Sequence, residues 1–219
     1  MIQRALSKKT TGLYCLLGLL AIFSGCANVD LKKPFPEIKT YSLDLSRQDH
    51  AAYAGKPVSV RFDAFSAVPA FADRYLTYRT SETAYEQDFY NQLMTSPAKM
   101  TGDQAASWMK GSALVSVVAP LEVPMTPDYV VNGQLLELFG DYRNASSPKA
   151  VLHIQLTVSR PASSGTAEVL FQKVYPVDLA IDRPSPKALT EGWSLCLGQI
   201  MADFENDLKN HVSSPSPSR

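Results

Sequence analysis

Cysteine is nearly absent from this chain. Two of the three, Cys15 and Cys26, fall within the first 26 residues, which leaves Cys196 alone in the remainder. A lone thiol closes no intramolecular disulfide, so the fold must rest on its apolar core. The apolar helical stretch around Cys196 marks it as a buried small hydrophobe. Histidine is as scarce, with His50, His153 and His211 spread far apart. No His-Glu-x-x-His, no Cys-x-x-Cys and no acidic calcium loop occurs, so no metal ligands and no cofactor are expected. No Gly-x-Ser-x-Gly elbow and no Gly-rich phosphate loop after a strand is present either, and no catalytic residue is assigned. Positive charge is not in excess, since 21 Lys and Arg face 21 Asp and Glu. That balance, without a basic run, argues against a nucleic-acid partner. The longest nearly apolar run, Leu13 to Phe23, is shorter than the roughly 20 residues that span a bilayer.

The N-terminus has the layout of a secretion signal. Arg4, Lys8 and Lys9 precede the apolar run, and no Asp or Glu occurs before Asp30. Small residues Ser24 and Gly25 follow, then Cys26. Basic, apolar, then small is how a signal peptide is organised. Phe23-Ser24-Gly25-Cys26 resembles the lipobox of bacterial lipoproteins, with Phe23 in the place of the usual Leu or Val. The resemblance implies cleavage between Gly25 and Cys26 and a diacylglyceryl group on the Cys26 thiol. Two or three acyl chains, at about 0.8 kcal/mol per buried CH₂, hold a protein on a membrane. Ala27 rather than Asp follows Cys26. By the sorting pattern of such lipoproteins this implies the outer membrane, with the domain facing the periplasm.

Removing the 25 leader residues leaves 194 of 219, and removes three basic residues, for a net charge near −3. That length suits one domain with a proper core. Four segments are expected: a signal peptide at 1–25, a lipidated N-terminus and flexible tether at 26–40, one domain at 41–211, and a disordered Ser/Pro tail at 212–219. The tether carries Lys32-Lys33, Pro34 and Pro36.

Within the domain, alternating residues predict strands at Tyr41–Leu45, Val58–Phe65 and Tyr75–Thr80. A turn is expected at Ser81-Glu82-Thr83. Phe89, Tyr90 and Leu93 predict a short helix over Gln87–Met94, broken by Pro97, and a second helix follows over Thr101–Lys110 with Gly111 as its stop. Leu114–Val118 reads as a short buried strand. Tyr129–Tyr142, Ala150–Ser159 and Ala167–Ile181, the last interrupted or bent at Pro176, predict an antiparallel meander. A long helix is expected from Ser185 as N-cap to His211, with Leu189, Trp193, Cys196 or Leu197, Ile200, Phe204 and Leu208 as one apolar stripe. The fold class is therefore α+β: an antiparallel-rich sheet, two short helices, and one long C-terminal helix packed on the sheet.

Outside that core pattern, Arg74-Tyr75-Leu76-Thr77-Tyr78-Arg79 stands out. Tyr75, Thr77 and Arg79 fall on one face of the strand, and Arg74, Leu76 and Tyr78 on the other. Tyrosine and arginine are enriched where proteins meet. Arg74, Tyr75, Tyr78 and Arg79 are thus the candidate partner-binding residues. His153 sits mid-strand between Leu152 and Ile154 and is read as structural.

Val58–Phe65, then Asp73–Arg79, then Tyr85-Glu86-Gln87-Asp88-Phe89-Tyr90 together resemble the ABC-type transport auxiliary lipoproteins, which include the paraquat-inducible protein C group. The early Tyr41-Ser42-Leu43, the meander and the long last helix fit the same resemblance over residues 41 to 210. One departure is Asn91-Gln92-Leu93, where the family often has Arg-Trp, though Pro97 follows. The resemblance implies a non-catalytic periplasmic lipoprotein of an intermembrane transport system for lipids or other hydrophobic molecules. Its partners would be an MCE-domain protein, which it would dock at the outer membrane, and an inner-membrane ABC transporter or permease. A homo-oligomer is also compatible. Two other readings of the residues stay open. One is a structural or regulatory outer-membrane lipoprotein, such as an assembly factor or an activator of a cell-wall enzyme. The other is a periplasmic enzyme built around His153.

Overall fold

A computed structural model describes residues 36–45, 47, 52–162 and 165–213. The signal peptide, Gly25, Cys26 and most of the expected tether lie outside these residues, as do 214–219 of the expected tail.

Among the described residues, nine strands form one mixed sheet. They are β1 Lys39–Tyr41, β2 Val58–Phe62, β3 Ser66–Ala67, β4 Tyr75–Arg79, β5 Tyr85–Leu93, β6 Val115–Val118, β7 Tyr129–Asp141, β8 Lys149–Arg160 and β9 Glu168–Ala180. Two α-helices accompany them, α1 Pro97–Lys110 and α2 Pro186–Ser213. The class is α+β, as the sequence predicts. The long ladders β7–β8 and β8–β9 and the hairpin β4–β5 are antiparallel. The shorter pairings β1–β5, β2–β6, β2–β7, β3–β7 and β4–β7 are parallel.

β7 organises the sheet. One of its edges pairs with β8 along nearly its whole length. The other edge takes three short partners in turn: β2 at Tyr129–Val131, β3 at Gln134–Leu135 and β4 at Gly140–Asp141. β5 and then β1 extend the sheet beyond β4.

α2 lies across β8 and β9. Ser185 caps it, its hydroxyl accepting from the Ala188 amide at 3.2 Å. Leu189, Trp193, Cys196, Leu197, Ile200, Met201, Phe204 and Leu208 are all essentially inaccessible, which is the expected stripe with Met201 added. The helix approaches closest at Gly192, where a Cβ would stand 2.7 Å from Ala150 Cβ and from Ile181 Cγ2. Any larger residue there would push the helix off the sheet.

Several local expectations are corrected. Gln87–Met94 is no helix; Gln87–Leu93 is most of β5, which pairs with β4 from Arg79↔Tyr85 to Tyr75↔Gln92, and Met94 follows the strand's end. Its apolar residues alternate with Gln87 between Tyr85 and Phe89, a period-2 signal masked by the adjacent Phe89-Tyr90. Pro97 does not break a helix but begins one. Ser96 is the N-cap of α1, its side chain accepting from the Lys99 amide, and Pro97 fills the first turn, where no N–H is needed. Strand β1 starts at Lys39, so Lys39 and Thr40 belong to the sheet rather than to the tether. It ends at Tyr41, because α1 side chains take over from a ladder: the Leu43 amide meets Met100 Sδ at 3.2 Å, and the Leu45 amide donates to Gln104 Oε1 at 3.2 Å. β2 stops at Phe62, and the chain re-enters the sheet as β3. In β6, only Val115 is buried and Val117 is exposed. Pro176 does not interrupt β9, whose ladder runs through it opposite His153. β9 pairs only with β8 among the described strands, and a proline is tolerated on such an outer strand. α2 continues two residues past His211, to Ser213.

Candidate functional site

The β4–β5 hairpin carries the residues singled out in the sequence. Its loop is tied by Ser81, whose hydroxyl accepts from the Ala84 amide at 3.1 Å. The Thr80 amide donates to the Ala84 carbonyl at 3.0 Å. The expected turn at Ser81–Thr83 is thus in place. β4 is an interior strand between β5 and β7. Its whole length pairs with β5, and Tyr78 and Arg79 also pair with β7, so it offers a partner mainly its side chains.

Alternation divides those side chains as the sequence implies. On one face, Tyr75 stacks on Phe89 with ring centres 5.9 Å apart. Further along the same face the Arg79 guanidinium lies 5.7 Å from the Tyr85 ring centre. Tyr85 meets Phe139 edge-on at 5.6 Å, and Phe71 stacks on Phe139 at 5.9 Å. Phe71 comes from the 3-10 turn Pro69–Phe71, which follows β3. Glu82 holds Arg79 through a 3.2 Å ion pair and a backbone carbonyl bond of 2.9 Å. The same Glu82 accepts from Arg143 at 2.7 Å. Between these aromatics, Ala70, Phe71, Thr77, Tyr85, Gln87, Leu136 and Glu137 line an open cleft of about 610 Å³.

On the other face Tyr78 is half-buried and packs toward the core. Its ring stacks on Tyr142 at 5.1 Å, and its hydroxyl donates to Asp88 Oδ2 at 2.9 Å. Burial and the neighbouring Asp88 carboxylate push the Tyr78 phenol far above its usual range. Tyr78 therefore holds the hairpin to the core and does not share a surface with Tyr75 and Arg79. Arg74 is exposed at the base of the hairpin, where its carbonyl accepts from the Leu93 amide at 2.7 Å. Of the four candidates, the structure brings only Tyr75 and Arg79 onto one surface.

Asp88 shapes the rest of the hairpin. Tyr75 pairs with Gln92 but the next residue, Leu76, pairs with Asp88, so Phe89, Tyr90 and Asn91 are looped out. This large bulge is closed by the Asp88 carboxylate. It accepts from the amides of Tyr90 and Asn91 at 3.0 and 3.1 Å and from Asn91 Nδ2 at 2.8 Å, besides Tyr78. Gln92 Nε2 donates to the Phe89 carbonyl at 2.9 Å. Phe89 and Tyr90, edge-to-face at 5.5 Å, are 58% and 46% exposed. The helical reading of Gln87–Met94 hides the exposure of Phe89 and Tyr90, and Tyr85 stands just before it; Tyr-x-Gln-x-Phe at 85–89 is the period-2 signal that places all three on a strand.

His153 sits between two carboxylates on the neighbouring strands. Nδ1 is 3.0 Å from Glu137 Oε2 and Nε2 is 2.9 Å from Asp178 Oδ1. With both ring nitrogens so occupied, neither is aimed at a nucleophile. Cys196 is fully buried, and burial pushes its thiol up to about 12, the opposite of an activated cysteine. Among the described residues no group of three or more His, Cys, Asp or Glu is placed to hold a metal ion. No helix there is long and apolar enough to cross a membrane.

No family model and no curated protein matches the chain. Solved structures do resemble it. One is protein XCC0632 of Xanthomonas campestris, described under the family label DUF330. It shares 14% identity over 79% of this chain and 96% of its own length, with a TM-score of 0.65. A second, described only as an uncharacterized protein, shares 14% identity over 78% of this chain and 99% of its own, with a TM-score of 0.58. At such identity the likeness is one of fold.

Proposed function

We propose that this chain is a non-catalytic lipoprotein of the outer membrane, where it docks the MCE-domain component of an ABC-type intermembrane transport system for lipids or other hydrophobic molecules. The observation that carries this reading is the pre-arranged aromatic and arginine surface of the hairpin: Tyr75 stacked on Phe89, and Arg79 over Tyr85 beside Phe71, backed by the buried Phe139. Such residues dominate interface energies when a partner desolvates them, at about 2 kcal/mol or more per anchor. Here they are already held by stacking and by Glu82, so little side-chain freedom is lost on binding. The lipobox supports the location, since a lipid on Cys26 would keep the domain at the membrane while the hairpin engages the partner. The non-catalytic part of the reading draws support from the carboxylates on both sides of His153 and from the burial of Cys196.

The test is capture of the MCE component by the full lipidated chain in detergent. Tyr75→Ala with Arg79→Ala should weaken capture by roughly thirtyfold per anchor, while thermal melting shows that the domain still folds. Capture at the wild-type level by the folded double variant would remove this surface from the interface. Separately, Cys26→Ala should abolish palmitate incorporation, and labelling equal to wild type would sink the lipobox assignment.

A further inference from the structure

Four of the exposed large apolar side chains, Ile38, Phe89, Tyr90 and Met94, belong to the paired β1 and end of β5 or to the residues next to them. Exposed aromatics fixed in place are unusual on a monomeric surface and mark a site of contact. Phe89 and Tyr90 project from the bulge, and the bulge is rigid by construction. The Asp88 carboxylate accepts two backbone amides and the Asn91 amide group, and Asn91 Oδ1 in turn accepts from the Tyr41 hydroxyl at 2.9 Å. That last bond ties the bulge to β1.

β1 identifies what the bulge meets. It pairs in parallel with the end of β5, beginning at Lys39↔Asn91. The chain therefore enters the domain immediately beside Tyr90, with exposed Ile38 as the residue before the first pair. Upstream, twelve residue steps separate Ile38 from Cys26, a span of at most about 40 Å when fully extended. A domain tethered there is held close to the membrane by the very end that carries the aromatic bulge. The other exposed large apolar residues, Val117, Leu121, Val123, Val169, Val174 and Leu195, lie in neither β1 nor its partner β5. Tyrosine suits the bilayer interface, where its ring is buried and its hydroxyl stays wet. Lys39 and Arg74 are exposed at the foot of the bulge, with Glu37 and Asp73 beside them. Local charge thus nearly cancels, and the attraction must be mainly apolar.

Resting on the reading of Cys26 as the lipid-bearing residue, we infer that the Phe89–Tyr90 bulge is a second, non-covalent membrane contact. It inserts into the interfacial layer of the phospholipid bilayer and fixes the orientation of the tethered domain. The lipid keeps the protein on the membrane; the bulge sets which way it faces, so that Phe89 meets lipid while Tyr75 behind it on β4, and Arg79 and Tyr85 further along the hairpin, are left for the partner.

The experiment uses the full lipidated chain in vesicles of phosphatidylethanolamine and phosphatidylglycerol. A nitroxide is attached through Tyr90→Cys, or through Val123→Cys as the control. Cys196 is inaccessible and does not compete for the label. The nitroxide at position 90 should be relaxed by oxygen and lose accessibility to an aqueous nickel chelate, while that at position 123 stays open to the chelate. Adding Phe89→Ser should return position 90 to water. Chelate access at position 90 equal to that at 123, in a chain that carries its lipid and is bound to vesicles, overturns the inference and leaves the anchor reading standing. Shielding that develops only when the MCE component is added, or in concentrated protein without vesicles, also overturns it and gives the bulge to that partner or to a second copy. A mature chain with no acyl mass on Cys26 fails the anchor reading itself and takes the inference with it.

Discussion

Along β8, alternate side chains Leu152, Ile154, Leu156 and Val158 are all buried, whereas along β5 only Gln92 and Leu93 are. Both strands belong to one sheet, but their neighbours differ. β8 lies between two long strands and under α2, so its identity is fixed by apolar area removed from water. β5 is flanked by β4 and the three-residue β1, and it has no helix over most of its length. It is held by pairing, by stacked rings and by the bonds around Asp88. Each half also has a carboxylate hub. In the helix-covered half, Glu205 on α2 accepts from Arg47 at 2.7 and 3.1 Å, from Trp108 Nε1 at 3.1 Å and from the Ser112 hydroxyl. In the open half Asp88 does the equivalent for the bulge. Apolar burial makes one region a scaffold. Polar closure leaves the other region's rings exposed and available.

The largest expected effect tests the scaffold. Phe204 is fully buried and touches Phe62, Phe171 and Tyr175 edge-on or tilted. Phe204→Asp both removes that packing and buries a charge without a partner, which should cost about 4 kcal/mol or more. Urea unfolding would measure it, and an unchanged midpoint would mean that α2 does not cover the sheet.

Next in size is the partly buried hub. Burial disfavours the Glu205 carboxylate, but its bonds from Arg47, Ser112 and Trp108 outweigh burial and hold its pKa below the usual range. Because the folded pKa is depressed, the stabilisation is present above the unfolded value and is lost as pH falls through the folded one. Asp207, bonded by Lys173 and Tyr175, is shifted in the same direction, so acid sensitivity is shared. Arg47→Met leaves the partly buried Glu205 with its countercharge gone, and should cost about 2–3 kcal/mol at neutral pH. In Glu205→Gln, part of the stability loss below about pH 4 should disappear from the pH profile. A profile identical to wild type would show that the hub is not coupled to folding.

The same contrast explains what could be read from the sequence. The α2 stripe and the three meander strands were legible because one-sided burial writes a period of 3.6 or 2 into the residues. Ser185 as N-cap was legible for the same local reason. β5 was not legible, because it has almost no buried face to impose a period, and its three-residue bulge breaks the alternation that remains. Pro97 was misread for want of its context, since the Ser96 cap that makes it a first-turn residue looks the same as a loop before a break. For the proposed site, the arginine and tyrosine content of β4 singles out this hairpin in the sequence. It could not show that Tyr78 faces Asp88 and Tyr142, or that Phe71, from the 3-10 turn after β3, and the buried Phe139 of β7 pack beside Tyr85. Long-range partners of that kind leave no mark in local spacing.

A smaller effect probes the closure of the open half. Asp88→Ala removes the acceptor of four donors, the Tyr78 hydroxyl, the amides of Tyr90 and Asn91, and Asn91 Nδ2. Most of these reach water once freed, so the cost should be about 1–3 kcal/mol. Hydrogen exchange should speed up at Phe89–Gln92 and remain slow along β8. Uniform acceleration would mean that the two halves unfold as one, and that the bulge is not a separate local unit.

The smallest effect comes from the same residue type as the largest. Phe89 stacks on Tyr75 and meets Tyr90 edge-on, yet it is 58% exposed. Phe89→Ser leaves no cavity, because solvent already occupies most of the space around the ring. It strands no polar group, because the Phe89 carbonyl that accepts from Gln92 Nε2 belongs to the backbone and stays. What is lost is one stacked pair, one edge contact and a little apolar area, together under about 1 kcal/mol. For a domain of this size that is a shift of about 2–4 °C at most in Tm, measurable by calorimetry against Phe204→Asp in the same buffer. A loss for Phe89→Ser as large as that for Phe204→Asp would collapse the distinction between scaffold and displayed surface. It would mean that the bulge is a piece of core, and that its exposed rings are held for stability rather than for contact.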